Sequence, residues 1–572
     1  IMISIENNLP VFTPENLFKE DPLGRLLFKK WMGERYVSLE TTYLEFGKNA
    51  ANASLLSIKA DQNSPQLKKI DKNGIQIDTI VYDDSYYELE KLSYGKGIIS
   101  IKYDPKWMAE YKSVRHLLGF SLGYYFAQSE MSLYCPICMT DGVGRVLENH
   151  LKKDPNNEIV KKALNHVASK DLEELWQGAM FITEKQGGSD VGANNVTAHQ
   201  QGDKWYLNGE KWFCSNVDAQ AILALARMPD APSGTDGLGL FLVLREVPEN
   251  NSATIQIQKL KDKLGVRSMP TGEVDLKNTQ AFLLSGIGEG LKNMLEMVNF
   301  SRLYNSVASV AVMRRSILEA LAFGHNRMAF GKKLVNQPLW RSAVSDLIAE
   351  HTGTMVLVFE TIRLLDKVDN GASKQERELV RLLTAFSKAI SAKLSVFCAS
   401  EAMELIGGNA YIEDTIVPRL LRDAQVLPIW EGATHILTLE SLRSFHKQAH
   451  FYLFDKIDKI IENSKQIEGF SDYVKILKDR LEADKKLIKI LMSKNEDQQQ
   501  VLSRECVEKL SRTLTLALLL ENAADENLRE LCLASFLRLT NRIYCIAPLS
   551  TNQSAELQAT EEVLIKGSYI DN

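Results

Sequence analysis

Two glycines followed by a serine form the first stretch of this sequence whose residue types could do chemistry. The segment FITEKQGGSDVGANN places Gly187, Gly188 and Ser189 in a row. Glycines let a backbone approach an anion closely, and peptide N–H groups beside a hydroxyl are good donors to a phosphate. The same residue types dominate ordinary turns, and their spacing matches neither a Walker loop nor a dinucleotide fingerprint. The segment therefore predicts either an anion-binding loop or a simple turn.

A carboxylate in apolar company is the second candidate. In LPIWEGATHILTLE, Glu431 lies between Trp430 and Gly432, where a helical pattern begins. An acidic residue in the first turn of a helix interacts favourably with the helix dipole, which would be a purely structural role. A carboxylate buried against apolar side chains instead has a raised pKa and can act as a general base. The segment alone is compatible with both interpretations.

The cysteines predict neither a metal centre nor a redox centre. There are seven, at positions 135, 138, 214, 398, 506, 532 and 545. An odd number scattered over a long chain indicates reduced thiols rather than a disulfide framework. Cys135 and Cys138 form a CxxC, but no second pair of Cys or His lies nearby in sequence to complete a zinc site. A thioredoxin-like context for the CxxC is also lacking.

The elements that must position these residues follow from the hydrophobic pattern. Apolar residues recur mostly at helical spacing up to position 180, which predicts an N-terminal helical domain, 1–180, with an irregular insertion. Short β-rich runs then predict a β domain over 181–285, with a hairpin turn at Asn208-Gly209. Helical periodicity returns in a bundle domain over 286–445 and continues in a C-terminal helical extension over 446–572. The predicted fold class is α+β and mostly α.

Composition limits the class of protein. A chain of 572 residues with 45% hydrophobic content predicts several folded domains. No basic and apolar leader and no run of roughly 18 apolar residues are visible, so we expect a cytoplasmic protein without a membrane segment. A net charge of -5 provides no general attraction for nucleic acid. The extension carries 18 Lys and Arg against 20 Asp and Glu, so it predicts no basic surface either.

Five motifs, in this order, carry a resemblance to a known family: TEKQGGSD, NGEKWFCSN, RMAFGKKL, ELIGGNAY and RLLRDAQVLPIWEG. Over about residues 130–445 they resemble the acyl-CoA dehydrogenase family. CPICMT, LKDKLGVRS and the short spacing in FGKKLVNQP are most similar to its AidB-like branch, which also carries a helical extension. The resemblance implies the acyl-CoA dehydrogenase fold, FAD as cofactor and an acyl-CoA thioester as substrate. It further implies a homotetramer, with an electron-transferring flavoprotein as acceptor if the protein is a dehydrogenase.

The resemblance implies two groups of FAD contacts, the first in the β domain. Thr183 would meet the pyrimidine edge of the flavin, and Gly188 and Ser189 would meet the pyrophosphate. Phe213 would lie against the isoalloxazine ring and Ser215 near N5. Most of the family has Trp and Thr at these two positions, so an aromatic face and a hydroxyl are both kept.

The second group lies in the helical bundle. Arg327 would reach the pyrophosphate of FAD in a neighbouring subunit, because a guanidinium suits phosphate oxygens. The other implied contacts are Phe330, Gln337, Gly407 and Gly408. Gln337 stands one residue closer to Phe330 than is usual in the family. This sequence also departs from the family pattern at Glu404, Ala410, Ala433 and His435, so weaker FAD retention is one expectation.

Glu431 matches the carboxylate that many members use as catalytic base. It would remove the proton alpha to the thioester while hydride leaves the beta carbon for flavin N5. Some relatives place the base beside an arginine on an earlier helix. Here Ser301 precedes the corresponding arginine, Arg302, so no carboxylate occupies that position. Arg267, Ser268 and Arg302 are the implied substrate contacts. The resemblance therefore predicts an FAD-dependent acyl-CoA dehydrogenase that acts on a fatty acyl-CoA.

Two alternatives remain open at the level of sequence. An AidB-like flavoprotein could bind fatty acyl groups or another partner with little turnover. DNA is the less favoured partner, because the extension is slightly acidic and its charges alternate in sign. An oxidase would differ in whether oxygen reaches the reduced flavin, which no motif encodes.

Overall fold

The structure is a computed structural model that describes residues 12–544 and 551–568. Its helices are α1 (Pro22–Met32), α2 (Arg35–Gln62), α3 (Asp84–Ser93), α4 (Pro105–Tyr111), α5 (Arg115–Ala127), α6 (Tyr134–Lys153), α7 (Glu158–Val167), α8 (Gly290–Asn326), α9 (Pro338–Asp369), α10 (Lys374–Ile406), α11 (Ile416–Ala424), α12 (Thr434–His446), α13 (Ala449–Ser464), α14 (Ser471–Met492), α15 (Glu496–Asn522), α16 (Arg529–Tyr544) and α17 (Thr551–Ser568).

The strands are β1 (Gln66–Ile70), β2 (Gln76–Val81), β3 (Gly178–Phe181), β4 (Thr197–Gln201), β5 (Lys204–Ser215), β6 (Ala221–Arg227), β7 (Leu238–Leu244), β8 (Ile255–Leu260), β9 (Thr271–Ser285), β10 (Met328–Ala329) and β11 (Lys332–Lys333). Helices thus precede and follow a central β region. This order confirms the predicted fold class, α+β and mostly α.

The chain divides into two compact units. The first unit contains the residues up to 51, residues 113–128 and the residues from 305 onward, and it is almost entirely helical. The second unit contains residues 52–112 and 129–304, and it holds the seven-stranded sheet with helices such as α6 and α7.

The sheet of the second unit closes on itself. Its strands follow the order β3-β6-β4-β5-β9-β7, β8 pairs with β9, and β6 also pairs with β7. Strands β6, β4, β5, β9 and β7 therefore form a ring, with a single bridge between Thr197 and Arg227 joining β4 to β6. Phe181, Leu207 and Phe241 belong to the buried core of this sheet. Closure satisfies backbone groups that an open edge would leave unpaired.

The predicted hairpin turn at Asn208-Gly209 is wrong. Strand β5 runs through both residues, and the two-residue turn of the hairpin lies earlier, between Gln201 and Lys204. Gly209 has φ +134°, and the register between β5 and β9 shifts next to it. A Cβ on Gly209 would lie 2.9 Å from Val196. The glycine therefore serves a β-bulge and a close backbone approach rather than a turn.

The irregular insertion of the N-terminal region is a β-hairpin, formed by β1 and β2. Asp78, on β2, accepts a hydrogen bond from the backbone N–H of Ile257 at 2.9 Å. Lys69, on β1, lies 2.9 Å from Asp78 and donates to the carbonyl of Ile257 at 2.6 Å. The hairpin is thereby fixed to strand β8 of the main sheet, within the second unit.

The C-terminal extension packs into the helical bundle of the first unit. Arg512, on α15, donates to Glu350 of α9 at 2.7 Å, and Arg538, on α16, contacts Asp346 at 2.8 Å. A Cβ on Gly353 of α9 would lie 2.8 Å from side chains of α15 and α16, so the glycine permits close helix packing. The extension is therefore part of the bundle core of this unit.

Among the described residues one helix, α10, is long and apolar enough by composition to span a membrane. Its most apolar stretch is 72% buried inside the protein. Burial within the bundle of the first unit therefore accounts for the apolar composition of α10. The six cysteines within the described ranges are free thiols, and Cys545 lies outside them.

Candidate active site

The three residues predicted to meet the flavin edge and the pyrophosphate lie on one loop after β3. Gly188 approaches Thr183 so closely that a Cβ at position 188 would lie 2.6 Å from Thr183 Oγ1. Gly187 has φ +125°, a conformation that favours glycine. Thr183 is half-buried, whereas Gly188 and Ser189 are exposed. The loop therefore presents two hydroxyls and a bare glycine backbone at the surface of the second unit.

A buried ion pair between the loop and strand β5 holds this loop in place. Glu184 accepts from Lys211 Nζ at 2.8 Å, and the two side chains are 4% and 0% exposed. Glu184 also accepts from the backbone N–H of Asn195 at 2.6 Å and of Val196 at 3.2 Å. Burial acts to raise the pKa of Glu184, but Lys211 and these hydrogen bonds hold it below its ordinary value. Neither residue was predicted, because a lysine on a β-strand normally faces solvent.

Strand β5 carries the two residues predicted to contact the flavin ring. The backbone N–H of Trp212 donates to the carbonyl of Thr183 at 2.9 Å, which joins β5 to the loop. The ring of Phe213 is 57% exposed, so an apolar face is available there. Ser215 is half-buried, and its Oγ lies 3.1 Å from Thr271 Oγ1. The second unit therefore brings the predicted loop and ring contacts together.

The predicted substrate residues of the second unit lie deeper than expected. Ser268 is 2% exposed and its hydroxyl has no hydrogen-bond partner among the described residues. Arg267 is half-buried and donates to the carbonyl of Lys263 at 3.3 Å. Arg302 is 4% exposed and donates to Asn299 on its own helix at 2.8 Å. Their role as substrate contacts stays a prediction.

In the first unit, the segment after α8 forms a small hairpin. Phe330 occupies its tip with φ +51° and is 97% exposed, and Arg327 is exposed at its base. Gln337 donates to the carbonyl of Ala329 at 2.8 Å and so stabilises the hairpin. A bulky residue at positive φ is unusual, and here the two-residue hairpin turn requires it, since Gly331 also has positive φ, +80°.

Trp340, which was not predicted, lies between the end of α8, just before this hairpin, and the end of α10, just before the predicted glycine loop. Its indole N–H donates to the carbonyl of Leu405 at 3.0 Å, near the end of α10. A Cβ on Gly324 of α8 would lie 2.4 Å from the same indole ring. Gly407, with φ +83°, and Gly408 follow directly, and both are exposed. Trp340 therefore holds the ends of α8 and α10 at a fixed separation.

Glu431 lies in the turn before a helix and not in the first turn of that helix, so the purely structural interpretation by the helix dipole does not apply. Helix α12 begins at Thr434, and Glu431 has φ +57° in the turn before it, followed by Gly432 with φ +98°. The side chain is half-buried, beside the half-buried Trp430 and an Ile429 that is 67% exposed. A non-glycine residue in this conformation costs free energy, so it persists only where its surroundings hold it. The carboxylate is thus placed by the backbone turn, not by a helix terminus.

Two buried polar side chains hold this turn. Lys388, on α10, is 0% exposed and its Nζ donates to the carbonyl of Gly432 at 2.6 Å. Asn305, on α8, donates to the carbonyl of Leu427 at 3.1 Å. Ala385 and Ala389 flank Lys388 on α10 and pack in one cluster with Leu437 of α12. Neither Lys388 nor Asn305 was predicted, since a lysine within a helical pattern gives no sign that it is buried.

Three family models match successive parts of the chain. The N-terminal domain of adaptive response protein AidB matches residues 7–171. The acyl-CoA dehydrogenase middle domain matches residues 179–279, and the acyl-CoA dehydrogenase C-terminal domain matches residues 288–445.

Two relatives and one solved structure extend this similarity. Acyl-CoA dehydrogenase family member 11 of Caenorhabditis elegans is 31% identical over 94% of this chain and 88% of its own length. Putative acyl-CoA dehydrogenase AidB of Escherichia coli is 30% identical over 72% of this chain and 74% of its own. The crystal structure of Caenorhabditis elegans ACDH-11 in complex with C11-CoA superposes with a TM-score of 0.87 at 29% identity. It covers 96% of this chain and 95% of that chain.

Proposed function

This chain belongs to the acyl-CoA dehydrogenase family, within its AidB-like branch, and on that premise we propose that it dehydrogenates a fatty acyl-CoA between the carbons alpha and beta to the thioester. Glu431 removes the alpha proton in this proposal. The observation that carries it is the half-buried carboxylate of Glu431 in a left-handed turn, with the buried ammonium of Lys388 bound to the next carbonyl.

FAD is the cofactor of this family, and when bound it supplies the acceptor for the hydride that leaves the beta carbon. The residues of the second unit fit such a group. The close approach of Gly188 to Thr183 leaves a backbone without a Cβ beside a hydroxyl, which suits a phosphate-bearing ligand. The exposed ring of Phe213 suits a flat aromatic group. Thr183, Gly188, Ser189, Phe213 and Ser215 would hold it.

The work of Glu431 is proton transfer. The alpha hydrogen of a thioester is weakly acidic, so the base must be held within hydrogen-bond reach of it and away from bulk water. The left-handed turn, held by Lys388 and Asn305, restricts where the carboxylate can lie, and a preorganised base needs little reorganisation when the substrate arrives. Trp430 contributes an apolar surface beside it. A carboxylate positioned in this way contributes about 10²–10⁴-fold to a rate.

An acyl-CoA thioester is the substrate class that the comparison favours, because the Caenorhabditis elegans relative is described with C11-CoA bound. We also propose a homotetramer in the cytoplasm, with an electron-transferring flavoprotein as acceptor. The exposed Arg327 and Phe330 support a contact with a neighbouring subunit. Arg267, Ser268 and Arg302 remain proposed substrate contacts that would need movement to become accessible.

The proposal is tested by anaerobic titration of the purified holoprotein with acyl-CoAs of short, medium and long chain, followed by flavin absorbance. We expect bleaching by one chain-length class, and a rate of bleaching about 10²–10⁴-fold lower in Glu431→Gln. Glu413→Gln is the matched control, because Glu413 is an exposed carboxylate that pairs with Arg422 at 3.1 Å. It should bleach like the wild type.

Three results would contradict the proposal. Bound flavin that no acyl-CoA reduces would favour the alternative, a flavoprotein that binds acyl groups or another partner with little turnover. Unchanged bleaching in Glu431→Gln would show that another group is the base. Stoichiometric hydrogen peroxide in air would identify an oxidase instead of a dehydrogenase.

A further inference from the structure

We propose that Lys263 and Thr271 are positioning residues that turn the hydroxyl of Ser215 into a hydrogen-bond donor directed at the flavin. The inference rests on the proposed function, in which Ser215 lies near flavin N5. It adds two residues to that site, and all three belong to the second unit.

The three side chains form a short chain of hydrogen bonds. Ser215 ends strand β5 and pairs in register with Thr271, the first residue of β9. Their hydroxyl oxygens lie 3.1 Å apart, and Lys263 Nζ lies 3.1 Å from Thr271 Oγ1. Lys263 Nζ also donates to the carbonyl of Met269. Thr271 is 5% exposed, so water has little access to its hydroxyl.

The direction of these hydrogen bonds follows from the donors each group possesses. A lysine ammonium has three donors and no acceptor, so the oxygen of Thr271 accepts from Lys263. Thr271 then has one O–H to donate, and Ser215 Oγ is the acceptor within reach among the described residues. A buried donor left without a partner costs about 1–3 kcal/mol, which favours this arrangement. The hydrogen of Ser215 is consequently directed away from Thr271.

The backbone around these side chains is also fixed. Asn216, with φ +52°, donates its backbone N–H to the carbonyl of Pro270 at 2.9 Å. Its side chain donates to the carbonyl of Gly178 at 3.0 Å. The backbone N–H of Lys261 donates to the carbonyl of Thr271 at 2.7 Å. The backbones of Ser215 and Thr271 therefore cannot move apart without breaking several hydrogen bonds, and the contact between their hydroxyls depends on the side-chain hydrogen bonds alone.

A donor locked toward flavin N5 favours oxidised flavin, whose N5 is an acceptor, over reduced flavin, whose N5 carries a hydrogen. Replacing Thr271 by Val removes the O–H that restrains Ser215, whose hydroxyl can then rotate and accept. We therefore expect Thr271→Val to raise the ratio of reduced to oxidised flavin at least tenfold at a given potential. For a two-electron couple this is a midpoint shift of about 30 mV.

The experiment measures the midpoint potential and the visible spectrum of bound flavin against a reference dye, in a double-mutant cycle of Thr271→Val with Ser215→Ala. Thr271→Val should shift the potential in the wild-type background and leave it unchanged once Ser215 is Ala. Thr271→Ser keeps the hydroxyl and should retain the wild-type potential. Lys263→Met also removes a positive charge near the flavin, which itself shifts the midpoint potential. The effect of Lys263 on the orientation of the Ser215 hydroxyl is therefore the part of the shift that disappears when Ser215 is Ala. That part should have the same sign as the shift in Thr271→Val.

Thr279→Val is the matched control, since Thr279 is buried on the same strand and donates to the carbonyl of Thr254 at 2.7 Å. It should lower Tm without moving the potential. Equal shifts from Thr271→Val with and without Ser215 would overturn the inference. A Ser215→Ala variant whose flavin keeps its spectrum and potential would instead remove the proposed contact between Ser215 and the flavin. If Thr271→Val does not fold, Thr271→Ala enters the same cycle.

Discussion

The loop of Thr183 in the second unit and the turn of Glu431 in the first are built alike and held differently. Each presents a polar side chain at or near the surface, on a backbone that includes a residue with positive φ. Each is also contacted from the protein interior by a buried lysine. Lys211 pairs with the carboxylate of Glu184, whereas Lys388 donates to the carbonyl of Gly432. A surface motif can therefore depend on a buried cation, and the group that this cation contacts determines how the motif fails when the cation is removed.

The largest effect is expected from breaking the charge pair of the loop. Lys211→Met leaves the carboxylate of Glu184 buried without its cation, and removal of one member of a buried pair costs about 3–5 kcal/mol. We expect a marked fall in Tm and loss of flavin during purification, measured by thermal unfolding and by the ratio of flavin to protein absorbance.

The double variant Glu184→Gln/Lys211→Met separates charge from shape. It removes both charges together, so it should be more stable than Lys211→Met alone. A double variant as unstable as the single one would mean that packing by the lysine stem, and not the ion pair, holds the loop.

The residues that form the Thr183 loop and the Glu431 turn differ in how far they could be predicted from sequence. The motifs TEKQGGSD and PIWEG singled out Thr183, Ser189 and Glu431 as candidates, because motif residues are recognised by type and spacing, and their roles stay predictions. Lys211 and Lys388 were missed, since burial depends on which elements cover a position and not on the sequence around it. The hairpin at Asn208-Gly209 failed for a related reason: a glycine with positive φ serves a turn or a bulge, and the pairing with β9 decides which.

A smaller effect is expected at the turn of Glu431. Lys388→Met removes a charged hydrogen-bond donor to a carbonyl, and such a bond contributes about 1.5–3 kcal/mol. We expect a moderate fall in Tm, a lower kcat because the base is less well directed, and little change in KM. Flavin retention should stay at the wild-type level, in contrast with Lys211→Met.

Lys388→Arg tests whether a buried cation of different shape can substitute. A guanidinium is planar and bulkier than an ammonium, so partial recovery of kcat is the expected outcome. Full activity in Lys388→Met would show that the turn is held without this hydrogen bond, and the likeness between the two regions would then be superficial.

The smallest effect is a difference in pH dependence between the two regions. The pKa of Glu184 is held below its ordinary value in the folded protein, despite the burial that acts to raise it. A depressed folded pKa means that the ion pair contributes its stability above the unfolded pKa, about 4.3, and loses it as pH falls through the folded pKa. The Tm difference between wild type and Glu184→Gln should therefore narrow below about pH 4.3. The carbonyl of Gly432 does not titrate, so the difference between wild type and Lys388→Met should stay nearly constant over that range. If the Tm differences of both variants from wild type narrowed in parallel, acid would be destabilising the whole fold. Titration of Glu184 would then not be the cause of the narrowing.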